Sequence, residues 1–168
     1  MKIPVFVSCP TTLNKTQLSA RKTIIHQLAE LGMEARALGR TDYPSDFPLK
    51  EVLVIAKHCS GGIILGFEQV YATTGICKRG TTKEENIADP EAFPTAWNQL
   101  EAGILFALSR PLLVFREEGI SGGVFDSGVT DVFIHKMPMG RLTPSEINAL
   151  REVFLNWQRK VRALYYGD

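Results

Sequence analysis

One carboxylate in this chain stands where a carboxylate is costly. In the run Trp97-Asn98-Gln99-Leu100-Glu101-Ala102-Gly103-Ile104-Leu105, Glu101 follows Trp97 by four residues and precedes Ile104 by three. Trp97, Leu100, Ile104, Leu105 and Leu108 make an apolar stripe on a helix running from about Thr95 to Ser109. At about 100° per residue, Glu101 falls inside that stripe. An ionised carboxylate there must be paired or hydrogen-bonded. One reading is a rim-of-core glutamate bonded to Arg21 or to a loop amide, since structural ion pairs also perturb carboxylates. The other is a catalytic group. Glu101 lies in the second turn of a helix entered from a long irregular stretch, which sets it beside a predicted crevice and makes it the candidate catalytic residue. Arg21 poses the same question within the stripe of Leu18, Ile25 and Leu28. It either snorkels or serves as an anion contact or a partner for Glu101.

Other groups gather around the same place. Ser8-Cys9-Pro10-Thr11-Thr12-Leu13-Asn14 joins a strand to a helix, and its backbone N–H groups and hydroxyls can hold a phosphate or ribose. It contains no glycine, so it is neither a Walker loop nor a dinucleotide fingerprint. In Glu117–Asp126, Gly122 and Gly123 permit close backbone approach to a ligand, with Asp126 closing the loop. Phe67, Tyr71 and Trp97 are aromatics able to stack on a base, and Asn98 stands beside the glutamate. The three histidines are scattered without metal-ligand spacing, so no metal is expected. No serine-nucleophile elbow is present.

These residues need elements to position them. Ile3 and Val5-Phe6-Val7 read as a buried strand. Asn14 or Thr16 can cap a helix with Leu18, Ile24, Ile25, Leu28 and Leu31 on one face, stopped at Gly32. Met33 to Leu38 is a second strand, and 42–46 is loop. Leu49, Val52, Leu53 and Ala56 predict a short helix after Pro48. Ile63 to Phe67 is a buried strand. Glu68 to Pro94 shows no clean periodicity and reads as a lid-like insert. After the Glu101 helix come a strand at Pro111–Phe115, a glycine-rich loop to Thr130 and a last strand at Asp131–His135. Thr143-Pro144-Ser145-Glu146 is a capping box. It opens a final helix with Ile147, Leu150, Phe154, Trp157, Val161 and Leu164 on one face. The alternation predicts one α/β domain over 1–168, a flavodoxin-like three-layer sandwich. Its five-stranded, mostly parallel sheet has order 2-1-3-4-5 with helices on both faces. Ligands of such sheets bind beyond the carboxyl ends of the strands, near the switch point between the first and third.

Composition narrows the function classes. A formal net charge of +1 over 168 residues gives no general attraction to a polynucleotide or an anionic membrane. Three scattered cysteines make a poor disulfide framework and include no CxxC pair. The amino-terminal apolar run is shorter than a signal peptide needs, and no run is long enough to span a bilayer. The expectation is a cytoplasmic protein.

The segments Val5-Phe6-Val7-Ser8, Lys50 to Phe67, Trp97 to Gly103 and Arg110-Pro111-Leu112-Leu113-Val114 together resemble a known superfamily. It is the one shared by nucleoside 2-deoxyribosyltransferases and Toll/interleukin-1 receptor (TIR) domains. Glu101-Ala102-Gly103 followed by Arg110-Pro111 resembles the first group's glutamate helix and the strand after it. Trp97 before Glu101 is similar to the TIR pattern. The resemblance implies N-glycosidic-bond chemistry, by hydrolysis or transfer, on NAD or a nucleoside or nucleotide, with Glu101 as catalytic carboxylate and no further cofactor. It also implies self-association, for which the terminal Tyr165-Tyr166 pair offers a surface. Two alternatives stay open: a non-catalytic nucleotide-signal-binding or TIR-type interaction module, and a flavin-binding protein.

Overall fold

The computed structural model describes residues 2–37 and 47–167. Five strands, β1 (Ile3–Ser8), β2 (Met33–Arg36), β3 (Gly62–Gly66), β8 (Leu112–Arg116) and β9 (Ile134–Lys136), form one parallel sheet in the order β2-β1-β3-β8-β9. This is the expected 2-1-3-4-5 layout, and the fold is a flavodoxin-like α/β sandwich. The register runs Ile3 opposite Met33, Val7 opposite Ile63, Ile63 opposite Leu113 and Val114 opposite Ile134. The central strands are buried on both faces, which is why they read as unbroken apolar runs rather than alternations.

Helices α1 (Lys15–Glu30) and α4 (Pro144–Tyr166) cover one face; α2 (Pro48–His58) and α3 (Ala96–Ala107) cover the other. Each face has its own core. Ile24, Leu28, Leu65, Phe67, Phe115, Phe154 and Trp157 belong to the first. Phe6, Val52, Ile64, Leu105, Val114 and Phe125 belong to the second. Both predicted caps form. Asn14 and Gln17 make a reciprocal capping box at α1, and Thr143 and Glu146 make one at α4. Trp157 anchors α4 by donating its indole N–H to the Pro111 carbonyl at 2.9 Å.

Several expectations are corrected. The stretch 68–94 is not irregular. It is a two-tier antiparallel ribbon, in which β4 (Val70–Ala72) pairs with β7 (Glu91–Phe93) and β5 (Ile76–Cys77) pairs with β6 (Glu85–Asn86). The ribbon stands away from the sheet with most of its residues exposed, so its strands carry no alternation for a sequence pattern to reveal. The last sheet strand starts at Ile134, not Asp131, and Phe133 is left exposed before it. The second strand ends at Arg36, while Leu38 and the 42–46 loop lie outside the described residues.

Candidate active site

The site is built where β1 ends under α3. Ser8 is the last residue of β1 and is buried. Thr95 caps α3, accepting a hydrogen bond from the Trp97 N–H, and the first turns of the helix pass over the end of β1. The buried face of α3 holds Asn98, Ala102 and Leu105, with Glu101 half-buried between them. This face is rotated from the expected stripe. Trp97 and Leu100 point outward, at 39% and 49% exposure, and Phe106 joins them at 52%. The helix is apolar almost all round, so its apolar residues alone do not reveal which side faces the core. Its three polar residues do. Asn98 and Glu101 face Ser8, and Gln99 faces the loop after β8.

Glu101 carries the strongest electrostatic signature of the site. Burial pushes its carboxyl up from 4.5 to about 7, and the hydrogen bond from the Ser8 hydroxyl works against that rise. The Ser8 Oγ in turn accepts a hydrogen bond from the Asn98 side-chain amide at 2.8 Å. The carboxyl is therefore much easier to protonate than an exposed glutamate, and it lies at the carboxyl end of β1 beside the β1–β3 switch point.

The rim is tied together by residues that sequence reasoning passed over. Gln17, buried in the first turn of α1, donates to the Glu117 carboxylate at 2.9 Å and to the Glu68 carbonyl at 3.1 Å. Glu68 donates its N–H to the same Glu117 oxygen at 2.8 Å. Gln69 reaches the Thr12 carbonyl at 3.3 Å. The root of the ribbon, the loop after β1 and the end of β8 thus form one connected rim. Beyond it, Arg116, Glu118, Gly119, Ser121 and Lys136 line an open cavity of about 510 Å³. Gln17 had a signal: it is the N3 residue of the Asn14 capping box. Gln99 had none.

The remaining predicted site residues divide by burial. Thr11 and Tyr71 are exposed and Trp97 is partly exposed, while Cys9 is half-buried against the core under α1 and α4. Phe67 has no exposed surface and sits in the core under α1 and α4. It does not stack on a ligand in this conformation. Ser8, Pro10 and Asn98 are also buried; they support the site from below rather than offering a surface to a ligand. Arg21 belongs to α1, on the opposite face of the sheet from α3. Its Nε is buried without a hydrogen-bond partner among the described residues, and the influences on Glu101 are burial and Ser8, not Arg21. The Gly122–Asp126 loop is held by its own contacts. The Asp126 carboxylate accepts the Gly122 N–H at 2.8 Å. Gln99 bridges the Gly122 carbonyl and the Val124 N–H at 3.1 and 2.9 Å. Gly122 and Gly123 have φ of 92° and 58°, so their glycines serve this turn. Among the described residues, no three His, Cys, Asp or Glu side chains gather as a metal ion would need.

No family model and no curated protein matches the chain. Among solved structures, the metal-soaked Flv1 flavodiiron core from Synechocystis sp. PCC6803 is similar over 100% of this chain, with a TM-score of 0.51 and 12% identity. This chain spans 37% of the length of that one. At such identity the likeness is one of fold, and it agrees with the flavodoxin-like sheet order. No helix among the described residues is long and apolar enough to cross a membrane.

Proposed function

We propose that this chain cleaves an N-glycosidic bond in NAD or in a nucleoside or nucleotide, by hydrolysis or transfer, with Glu101 as the catalytic carboxylate. The observation that carries the reading is the state of Glu101. It is a half-buried carboxyl at the switch-point end of the sheet, raised to about 7 by burial and hydrogen-bonded by Ser8. Cleavage breaks the bond between the anomeric carbon and the base nitrogen. The electron pair leaves with the base, and positive charge builds on the ring oxygen and anomeric carbon. An ionised Glu101 beneath that carbon stabilises the charge or captures it covalently. Water, or an acceptor base in a transfer, then adds at the anomeric carbon and loses its proton. A pyridinium base such as that of NAD leaves neutral and needs no acid. A substrate with that positive charge also favours the ionised glutamate.

Tyr71, on β4 just after Gln69, and Trp97, in the first turn of α3, supply exposed aromatic surface. The loop after β1 lacks the glycine that a flavin phosphate loop uses, and Gln69 occupies its Thr12 carbonyl. The loop therefore lends the flavin alternative no support. Self-association remains part of the proposal. Tyr165 packs against its own core, whereas Tyr166 is 60% exposed, edge-on to Tyr165 at 5.0 Å.

The test is incubation of purified protein with NAD, nicotinamide mononucleotide and a panel of nucleosides and nucleotides, with chromatography for free base. Base release by the wild type and its loss in a folded Glu101→Gln variant is the expected result. Tight binding without release would replace the enzyme by the binding module. Release undiminished in Glu101→Gln would overturn the assignment.

A further inference from the structure

Among the described residues Asn98 is the most deeply buried polar side chain, with no exposed surface, yet one of its two polar ends goes unused. Its Nδ2 donates to Ser8 Oγ at 2.8 Å, while its Oδ1 is buried without a partner among the described residues. An unpaired buried carbonyl is unfavourable, and a leucine of similar size would avoid it. Packing alone therefore does not account for an amide here. Asn98 and Glu101 are three residues apart on α3, so they lie on one face; Ser8, which accepts from Asn98, is also the side chain that favours the ionised Glu101.

We propose that Asn98 is a positioning residue that aims the Ser8 O–H at Glu101. A serine hydroxyl has one proton to give. When its oxygen accepts the Asn98 N–H, that proton is turned away from Asn98 and toward the glutamate. Asn98 thus acts on the reacting carboxylate only through Ser8, and neither Asn98 nor Ser8 contacts the ligand. The inference gives the site assigned above its supporting chemistry. It rests on that reading for its link to catalysis, but not for the relay itself.

The described elements around Glu101 bring it no charge that competes with Ser8. β1 contributes Ser8; the Cys9 that follows is half-buried against the core on the opposite face of the sheet. α2 carries Lys50, Glu51, Lys57 and His58, and β8 ends at Arg116. None of these charges figures among the influences on Glu101, and β3 brings no charged residue.

The test is a carbon-13 NMR titration of the full chain labelled at glutamate, with the Glu101 signal identified by its absence in Glu101→Gln. Ser8→Ala and Asn98→Leu are expected to move its midpoint upward by about half a unit to one unit, because the ionised form loses its donor. Asn98→Asp should move it further, since the new carboxylate takes the serine proton and adds negative charge. Gln99→Ala, on the same turn but facing the other loop, and Cys9→Ala should leave the midpoint in place. A wild-type midpoint in folded Asn98→Leu overturns the relay, whether or not Asn98→Asp folds. Wherever base release is measurable, the acidic limb of its pH profile should follow the NMR midpoint from variant to variant. A relay confirmed by NMR in a protein that releases no base would overturn the functional reading alone. Base release that depends on Glu101 with an unmoved midpoint would overturn the relay alone.

Discussion

Gln17 and Glu117, a hundred residues apart, are joined by a 2.9 Å hydrogen bond across the carboxyl end of the sheet. The same Glu117 oxygen accepts the Glu68 N–H, and the Gln17 amide also reaches the Glu68 carbonyl. Removing Gln17 leaves a carboxylate and a carbonyl short of a donor at a partly buried place. Gln17→Leu should destabilise the protein by about 1–3 kcal/mol. A shift in urea midpoint with an unchanged slope would report it. An unchanged midpoint would show that water replaces the amide without loss.

Glu101 should lower stability at alkaline pH. Its folded-state carboxyl sits near 7, above its ordinary 4.5. The folded protein therefore binds the proton more tightly than the unfolded chain does. The contribution is fully present below about 4.5 and is lost as pH rises through 7. Glu101→Gln, which cannot ionise, should gain on the wild type over that interval by up to about 3 kcal/mol. Thermal melts of both proteins between pH 4.5 and 8 would show the curves diverging. Parallel curves would mean that the carboxyl is hydrated and its value ordinary.

The same group sets the expected pH dependence of turnover. If ionised Glu101 serves the bond cleavage, kcat/KM should rise about tenfold per pH unit at low pH and level off above about 7. Glu101→Gln should lower kcat by at least about a hundredfold. A profile that falls through 7 instead would assign Glu101 as a proton donor.

The ribbon should be the first place a protease enters. Its tip at Lys78-Arg79-Gly80 is exposed, Lys78 has φ of 51°, and its ion pair with Glu85 at 3.1 Å lies in solvent. Exposed pairs of this kind contribute little. Trypsin should cut at Lys78, Arg79 or Lys83 before any other site, and a bound nucleotide should slow the cut. First cleavage within α1 or α4 would refute this.

Self-association should appear in light scattering as a mass that rises with concentration, more so with nucleotide present. A single-chain mass under all conditions would remove it and confine the site to one chain.

The sheet was legible because its central strands are buried on both sides. Apolar runs such as Ile63-Ile64-Leu65 carry that fact in their composition. Sheet order followed from the alternation of elements. Glu101 was legible because a carboxylate on so apolar a helix is out of place whichever side faces inward. The phase of α3 was not, since Trp97, Leu100 and Phe106 are as apolar as the residues beneath them. The ribbon leaves no such mark, because most of its residues meet solvent and only a few, such as Ala92 against the second core, are partly covered. Phe67 was misjudged as a ligand contact because chain position at a strand end does not tell which layer an aromatic enters. The Gln17–Glu117–Glu68 rim joins residues from three distant segments, and no local pattern encodes such a meeting.

The ribbon has one more consequence. Gln69 donates its N–H to the Phe93 carbonyl at 2.9 Å, so the chain comes back beside the point where it left. For the five-stranded sheet, everything between those two residues is a detour with almost no net displacement. Closing a longer or shorter excursion changes the loop entropy only slowly. The segment is therefore a natural cassette. Its length and tip chemistry can be exchanged in matched pairs of residues, or a foreign segment grafted there, while the scaffold below keeps its register.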